Sequence, residues 1–196
     1  MPERAFHELA ADACPAYADL LLALCAEFRA VDGDAVRERL DDDGRALFGL
    51  GGLSPLARAD RLAMVMDREL GLAPDCAPGP DGLLFDAVVL RRRGHPAMLA
   101  ALGAELAWRA GVACGVYASP SRWFVGLGSG DDLVVLDAQL GGEGIEPPSE
   151  LRPACAHELA FCVLCGLGTI YAREGRHDEG RHARRLRQAL PIQPRI

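Results

Sequence analysis

The residues whose types could do chemistry are the thiols Cys114, Cys155, Cys162 and Cys165, the imidazoles His95 and His157, the carboxylate Asp137, and two arginine series. A thiol becomes a nucleophile when a helix N-terminus or a neighbouring imidazole favours its thiolate. The Cys162-x-x-Cys165 spacing, with Cys155 and His157 upstream, also has the form of a zinc motif. On one helix, however, Cys155 and Cys165 stand about 15 Å apart at ~1.5 Å rise per residue, too far to converge on one tetrahedral ion. Their neighbours Leu159, Phe161, Val163 and Leu164 are those of a core, so the sequence predicts buried thiols and no metal. Cys114 lies in a β-rich run and reads as a small core residue. His95 precedes Pro96 at a helix start, where it caps the helix or, with its pKa lowered by the helix N-terminus, stays a neutral base. Arg91, Arg92 and Arg93, and Arg181, Arg184, Arg185 and Arg187, have the forked donors that match a phosphate or an acidic segment, but also suit a helix C-terminus or a solvated helix face. Trp108 and Trp123 read as core or cleft-wall aromatics.

Composition narrows the function classes. All 21 basic residues are Arg, so chemistry needing Lys, such as a Schiff base or a phosphate-loop lysine, is excluded. Residues 1–90 hold 17 Asp/Glu against 8 Arg, whereas residues 91–196 hold 11 against 13. A net charge of -7 argues against nucleic-acid binding, which needs a basic face. No basic-then-apolar leader opens the chain and no run approaches ~20 apolar residues, so a soluble cytoplasmic protein with no membrane association is expected. Seven cysteines, an odd number in a chain of this size, are expected to be mostly free thiols.

Several elements must position these groups. Leu20, Leu21, Leu24 and Phe28 form the apolar stripe of a helix over 17–28. A second helix is expected with Asp34 as N-cap, and a third from Ser54-Pro55 to Leu70, closed by Gly71. The Pro- and Gly-rich stretch 73–82 predicts a loop. A short helix over 83–90 leads through the arginine triplet to a helix from Pro96 to about Arg109, stopped at Gly111. Val112–Tyr117, Trp123–Leu127 and Leu133–Leu136 read as three strands of an antiparallel meander. After a Gly-Gly-Glu-Gly and Pro-Pro loop, segments 154–173 and 177–190 predict a helical hairpin broken at Glu174-Gly175-Arg176.

Three segments together, LLFDAVVLRRRGHPAMLAALGAELAWRAGV at 83–112, ACGVYASPSRWFVGLG at 113–128 and LVVLDAQLGGE at 133–143, resemble the transglutaminase-like core of the bacterial SirB family, within the papain-like superfamily. The resemblance implies an α+β fold: N-terminal helices and a central helix packed on a short antiparallel sheet over 1–150, then a hairpin over 151–196 packed on that core. Tyr171, Gly175 and Ala183 in the hairpin approximate a tetratricopeptide-type turn. Catalytic relatives use a Cys at the start of the central helix, a His on the second strand and an Asp on the third. At the matching positions this chain has Gly94-His95-Pro96-Ala97, then Arg122, then Asp137, so the nucleophile and base are missing and only the Asp stands. Arg holds its proton at physiological pH and cannot act as a base. The resemblance therefore implies a pseudoenzyme with a vestigial cleft at His95, Arg122 and Asp137, an Arg122–Asp137 ion pair within it, and no cofactor. The expected function is binding of a peptide or protein partner through Arg122, Trp123 and Arg93. The alternative is a divergent acyltransferase or hydrolase in which Cys114 or His95 works with Asp137, and a weaker third option is sensing of a small acidic ligand through Arg122.

Overall fold

A computed structural model describes residues 4–75, 79–138 and 150–191. The Gly-Gly-Glu-Gly and Pro-Pro loop, the end of the third family-like segment, and the middle of the 73–82 stretch with Cys76 lie outside the described residues. Leu20, Leu21, Leu22 and Leu24 build helix α2 (Tyr17–Ala26), which follows a short helix α1 (Phe6–Ala10) that the sequence reading did not anticipate. Phe6 and Leu9 are both buried, but five residues are too few for a helical period to stand out. Helix α3 (Gly33–Arg45) starts earlier than expected: Asp32, not Asp34, is its N-cap, accepting from the Ala35 N–H at 3.0 Å. Ser54 caps α4 (Pro55–Met64), with Pro55 in its first turn.

The helix then widens over Val65–Glu69, where the Leu70 N–H reaches back five residues to the Val65 carbonyl at 2.8 Å, and Gly71 leaves it at φ +64°. A two-residue strand β1 (Ala73–Pro74) pairs in parallel with β2 (Arg93–Gly94), on either side of α5 (Pro80–Leu83) and α6 (Phe85–Arg91). Arg92 ends α6 in the left-handed region at φ 58°. Its guanidinium holds it there, donating to the Leu70 carbonyl at 2.8 Å and to Asp43 at 3.0 Å. The middle of the arginine triplet is thus a structural tie, not a solvated cation.

Helix α7 (Pro96–Arg109) is the central element, with every residue from Ala97 to Ala107 buried. It packs on a four-stranded antiparallel sheet of order β5-β4-β3-β6, made of β3 (Cys114–Ala118), β4 (Trp123–Leu127), β5 (Val134–Asp137) and β6 (Arg152–Ala154). The sequence predicts three strands; the fourth, β6, precedes the expected helix, overlaps only its first residue, Ala154, and pairs with β3 at Val116↔Ala154. Gly103 lets α7 approach the sheet and the widened turn after α4, since a Cβ there would sit 2.8 Å from Val125 Cγ2 and 2.8 Å from Met66 Sδ.

The hairpin α8 (Ala156–Arg173) and α9 (His177–Ala189) closes the molecule. Leu159, Val163, Leu164 and Leu167 join the same buried core as α2 and α7. Phe28 packs on Tyr171 and edge-on to His182, and His182 Nε2 lies 3.2 Å from Glu27 Oε2. The fold is α+β, as its elements predict, but one core runs through residues on both sides of position 150. Trp108, expected in the core or a cleft wall, is 69% exposed in the last turn of α7, with the Arg109 guanidinium 5.9 Å from its ring.

Candidate functional site

Two hydrogen-bonding patterns bring Arg122 and Asp137 together. The Ser119 N–H donates to the Arg122 carbonyl at 3.0 Å, closing the hairpin loop between β3 and β4 and setting Arg122 just before β4. Asp137 ends β5 opposite Phe124, and the Ala138 N–H donates to the Trp123 carbonyl at 3.0 Å. Arg122 Nη1 thereby reaches Asp137 Oδ2 at 3.1 Å. The Asp137 side chain has no solvent exposure, whereas the Arg122 side chain is 46% exposed. The guanidinium covers a fully buried carboxylate and turns its own outer face to solvent, an arrangement that compensates a charge costly to bury alone. Trp123, half-buried, adjoins the pair.

The direction of α7 brings His95 to the same end. Cys114 Sγ donates to the Ala104 carbonyl at 3.0 Å, and the Val112 N–H to the Ala107 carbonyl at 3.1 Å, so the C-terminal half of α7 lies over the start of β3. Its N-terminus therefore points toward the other end of the sheet, where Arg122 and Asp137 stand. His95 caps α7 there, Nδ1 accepting from the Ala97 N–H at 3.2 Å. Burial lowers its pKa below the usual histidine value. Accepting at Nδ1 puts the ring proton on Nε2, so the neutral imidazole uses its lone pair on the helix and is left with only a donor. Among the described residues no hydrogen bond joins His95 to Arg122 or Asp137. Arg93, two residues earlier, is exposed and has no carboxylate partner among the described residues.

Cys114 is not part of this group. It shares a register row with Leu127 and Val134, three residues along and two strands across from Asp137, a separation of roughly 14 Å at ~3.3 Å per residue and ~4.8 Å per strand. Burial, reinforced by the Glu105 carboxylate, pushes its thiol up to about 12. A thiol so protonated and turned into the helix backbone is a packing group.

The C-terminal cysteines divide. Burial raises Cys162 to about 11, with Cys165 adding to it. Cys165 is half-buried and its sulfur receives a hydrogen bond from Arg187 Nη1 at 3.5 Å. Cys155, expected in the core, is exposed at the start of α8, with its sulfur 4.0 Å from His157 Nδ1. His157 is buried and its Nε2 lies 3.2 Å from the Ala10 carbonyl, which sets that nitrogen as the N–H and leaves Nδ1 to accept. From the sequence Cys155 reads as a metal ligand or a buried thiol and His157 as a ligand beside it, not as a thiol–imidazole pair; their Cys-x-His spacing at a helix start was the available signal. The pair is far from Asp137, since Ala154, adjoining Cys155, lies three strands from Leu136, the neighbour of Asp137, roughly 14 Å at ~4.8 Å per strand. Among the described residues no group of three His, Cys, Asp or Glu could hold a metal ion.

Residues 17–151 match the family model of the transglutaminase-like superfamily. The chain belongs to the transglutaminase-like superfamily. The match spans α2 through β5 and ends just before β6, so it includes α7, Arg122 and Asp137. Comparison with curated proteins and with solved structures finds no match. Among the described residues no helix of this superfamily member is long and apolar enough to cross a membrane.

Proposed function

We propose that this transglutaminase-like protein is a non-catalytic accessory or binding protein that offers its degenerate cleft to a peptide or protein partner. One observation carries the reading: Arg122 stands where the resemblance puts a base, and it is bound to Asp137. A permanent cation cannot accept a proton, and the His95 imidazole, toward the same end of the sheet, spends its lone pair on a helix cap. The exposed faces of Arg122 and Trp123, with Arg93 nearby, suit a partner carrying a carboxylate and an apolar side chain. Within the superfamily we assign the chain to the bacterial SirB type, with a tetratricopeptide-like hairpin and a cytoplasmic location.

The test is calorimetric titration of the full chain with proteins encoded beside its gene, alongside assays of ester hydrolysis and of amine transfer to glutamine peptides. The expected result is saturable binding that Arg122→Glu weakens at least about tenfold, with no turnover above the uncatalysed rate. Turnover that dies when thiols are alkylated would overturn the proposal.

A second reading rests on Cys155 and His157, a thiol and an accepting imidazole at the start of an 18-residue helix. In it the protein performs thiol chemistry at a site displaced from the family cleft. Brief labelling with iodoacetamide at pH 6, read by peptide mass, separates the two: selective loss of Cys155 reactivity in His157→Gln favours this reading, and uniform slow labelling removes it.

A further inference from the structure

The outer face of the hairpin holds a groove of about 560 Å³ between α8 and α9, a volume suited to a small molecule. Its floor includes Leu164, Gly168 and Gly180, and its walls carry Arg173, Arg184 and Arg187.

Two independent observations point to a ligand. The first is charge. Elsewhere in the described residues most arginines meet a carboxylate, as Arg29 meets Asp81 and Asp86, Arg92 meets Asp43, and Arg176 meets Glu174 and Glu179. None of the three groove arginines has a carboxylate partner among the described residues, although the chain carries a net charge of -7. Arg187 is held over the Phe161 ring, 5.6 Å from its centroid, with Nη1 on the Cys165 sulfur. Arg184 and Arg187 lie one turn apart on α9, where like charges repel.

The second observation is Gly168. A glycine inside a helix is less stable than alanine, so it persists where something must come close to the backbone. Gly166 has such a reason within the chain, because a Cβ there would lie 2.6 Å from Leu83 Cδ1. Gly168 has none, since a Cβ there would meet nothing within 4 Å. Its missing side chain deepens the groove.

We propose that this groove binds a small polyanion, a molecule with at least two carboxylate or phosphate groups, gripped by Arg173, Arg184 and Arg187 and seated on Gly168. Guanidinium forks match both oxyanions, so the probes separate the two sources. Calorimetric titration of the full chain at low salt uses pyrophosphate, citrate and, as the monovalent control, acetate. Pyrophosphate or citrate, or both, bind with submillimolar affinity and acetate at least about tenfold more weakly, the preferred probe naming the oxyanion. Arg184→Gln with Arg187→Gln weakens the bound probe at least about tenfold. Arg185→Gln, on the same helix but outside the groove, changes its affinity less than about twofold. Gly168→Leu fills the open space, abolishes binding and leaves the circular dichroism spectrum and melting cooperativity as they were. No binding of either polyanion, binding that survives Gly168→Leu, or equal losses in the Arg185 variant and the Arg184/Arg187 double variant would each overturn the proposal.

Discussion

His95 shows how one side chain is withdrawn from chemistry. Its Nδ1 caps α7 and burial lowers its pKa, so the folded protein holds it neutral where the unfolded chain protonates it. The contribution of this group is therefore complete above the unfolded histidine pKa, near 6.5, and is lost as pH falls below it toward the lower folded value. Its share of the slope is at most about 1.4 kcal/mol per pH unit. His95→Asn keeps a capping side chain without a titrating one. Urea melts at pH 7.5 and 5.5 should show a smaller acid-induced loss in the variant than in the parent; equal losses would show that His95 is protonated alike in both states. Residue identity made part of this legible. The Pro96 that follows His95 marked a helix start, and the absence of a thiol there was plain. What spacing could not give was exposure: Cys155, the N-cap of α8, faces solvent although Ala154 and Ala156 on either side of it are buried.

Among the elements, α7 and β4 were read with their observed bounds, Pro96–Arg109 and Trp123–Leu127, since Pro, Gly and turn residues mark both ends of each. Strand β6 was missed because its three residues, Arg152, Pro153 and Ala154, have no alternating pattern; their pairing comes from β3 alone. Asp34 was mistaken for a cap because Asp32 and Asp34 are equally able, and the choice depends on which reaches an N–H. The tie between α2 and the sheet was also invisible. Tyr17 Oη donates to the Ala154 carbonyl at 2.9 Å and accepts from the Val116 N–H at 3.1 Å, filling a gap between β3 and β6 across more than half the chain. Tyr17→Phe leaves both backbone groups without that partner and should destabilise the protein by about 1–3 kcal/mol in urea titration. A change below about 0.3 kcal/mol would mean that water replaces the hydroxyl.

Taken whole, the molecule has one buried core that spans position 150. Strand β6 completes the sheet, and α8 buries Leu159, Val163 and Leu167 against the same core that α2 and α7 build. A chain ending at Leu151 should lose cooperative thermal unfolding and bind hydrophobic dyes, while the full chain melts in one transition; a sharp melt from the shortened chain would show that the hairpin is an appendage. Strand β6 also has a consequence for self-association. It forms one margin of the sheet, and its middle residue, Pro153, has no amide hydrogen to offer, while Arg152 beside it is charged and exposed. An incoming strand would find a broken donor row and a cation to desolvate, so that margin resists fibril-like stacking of one copy on another.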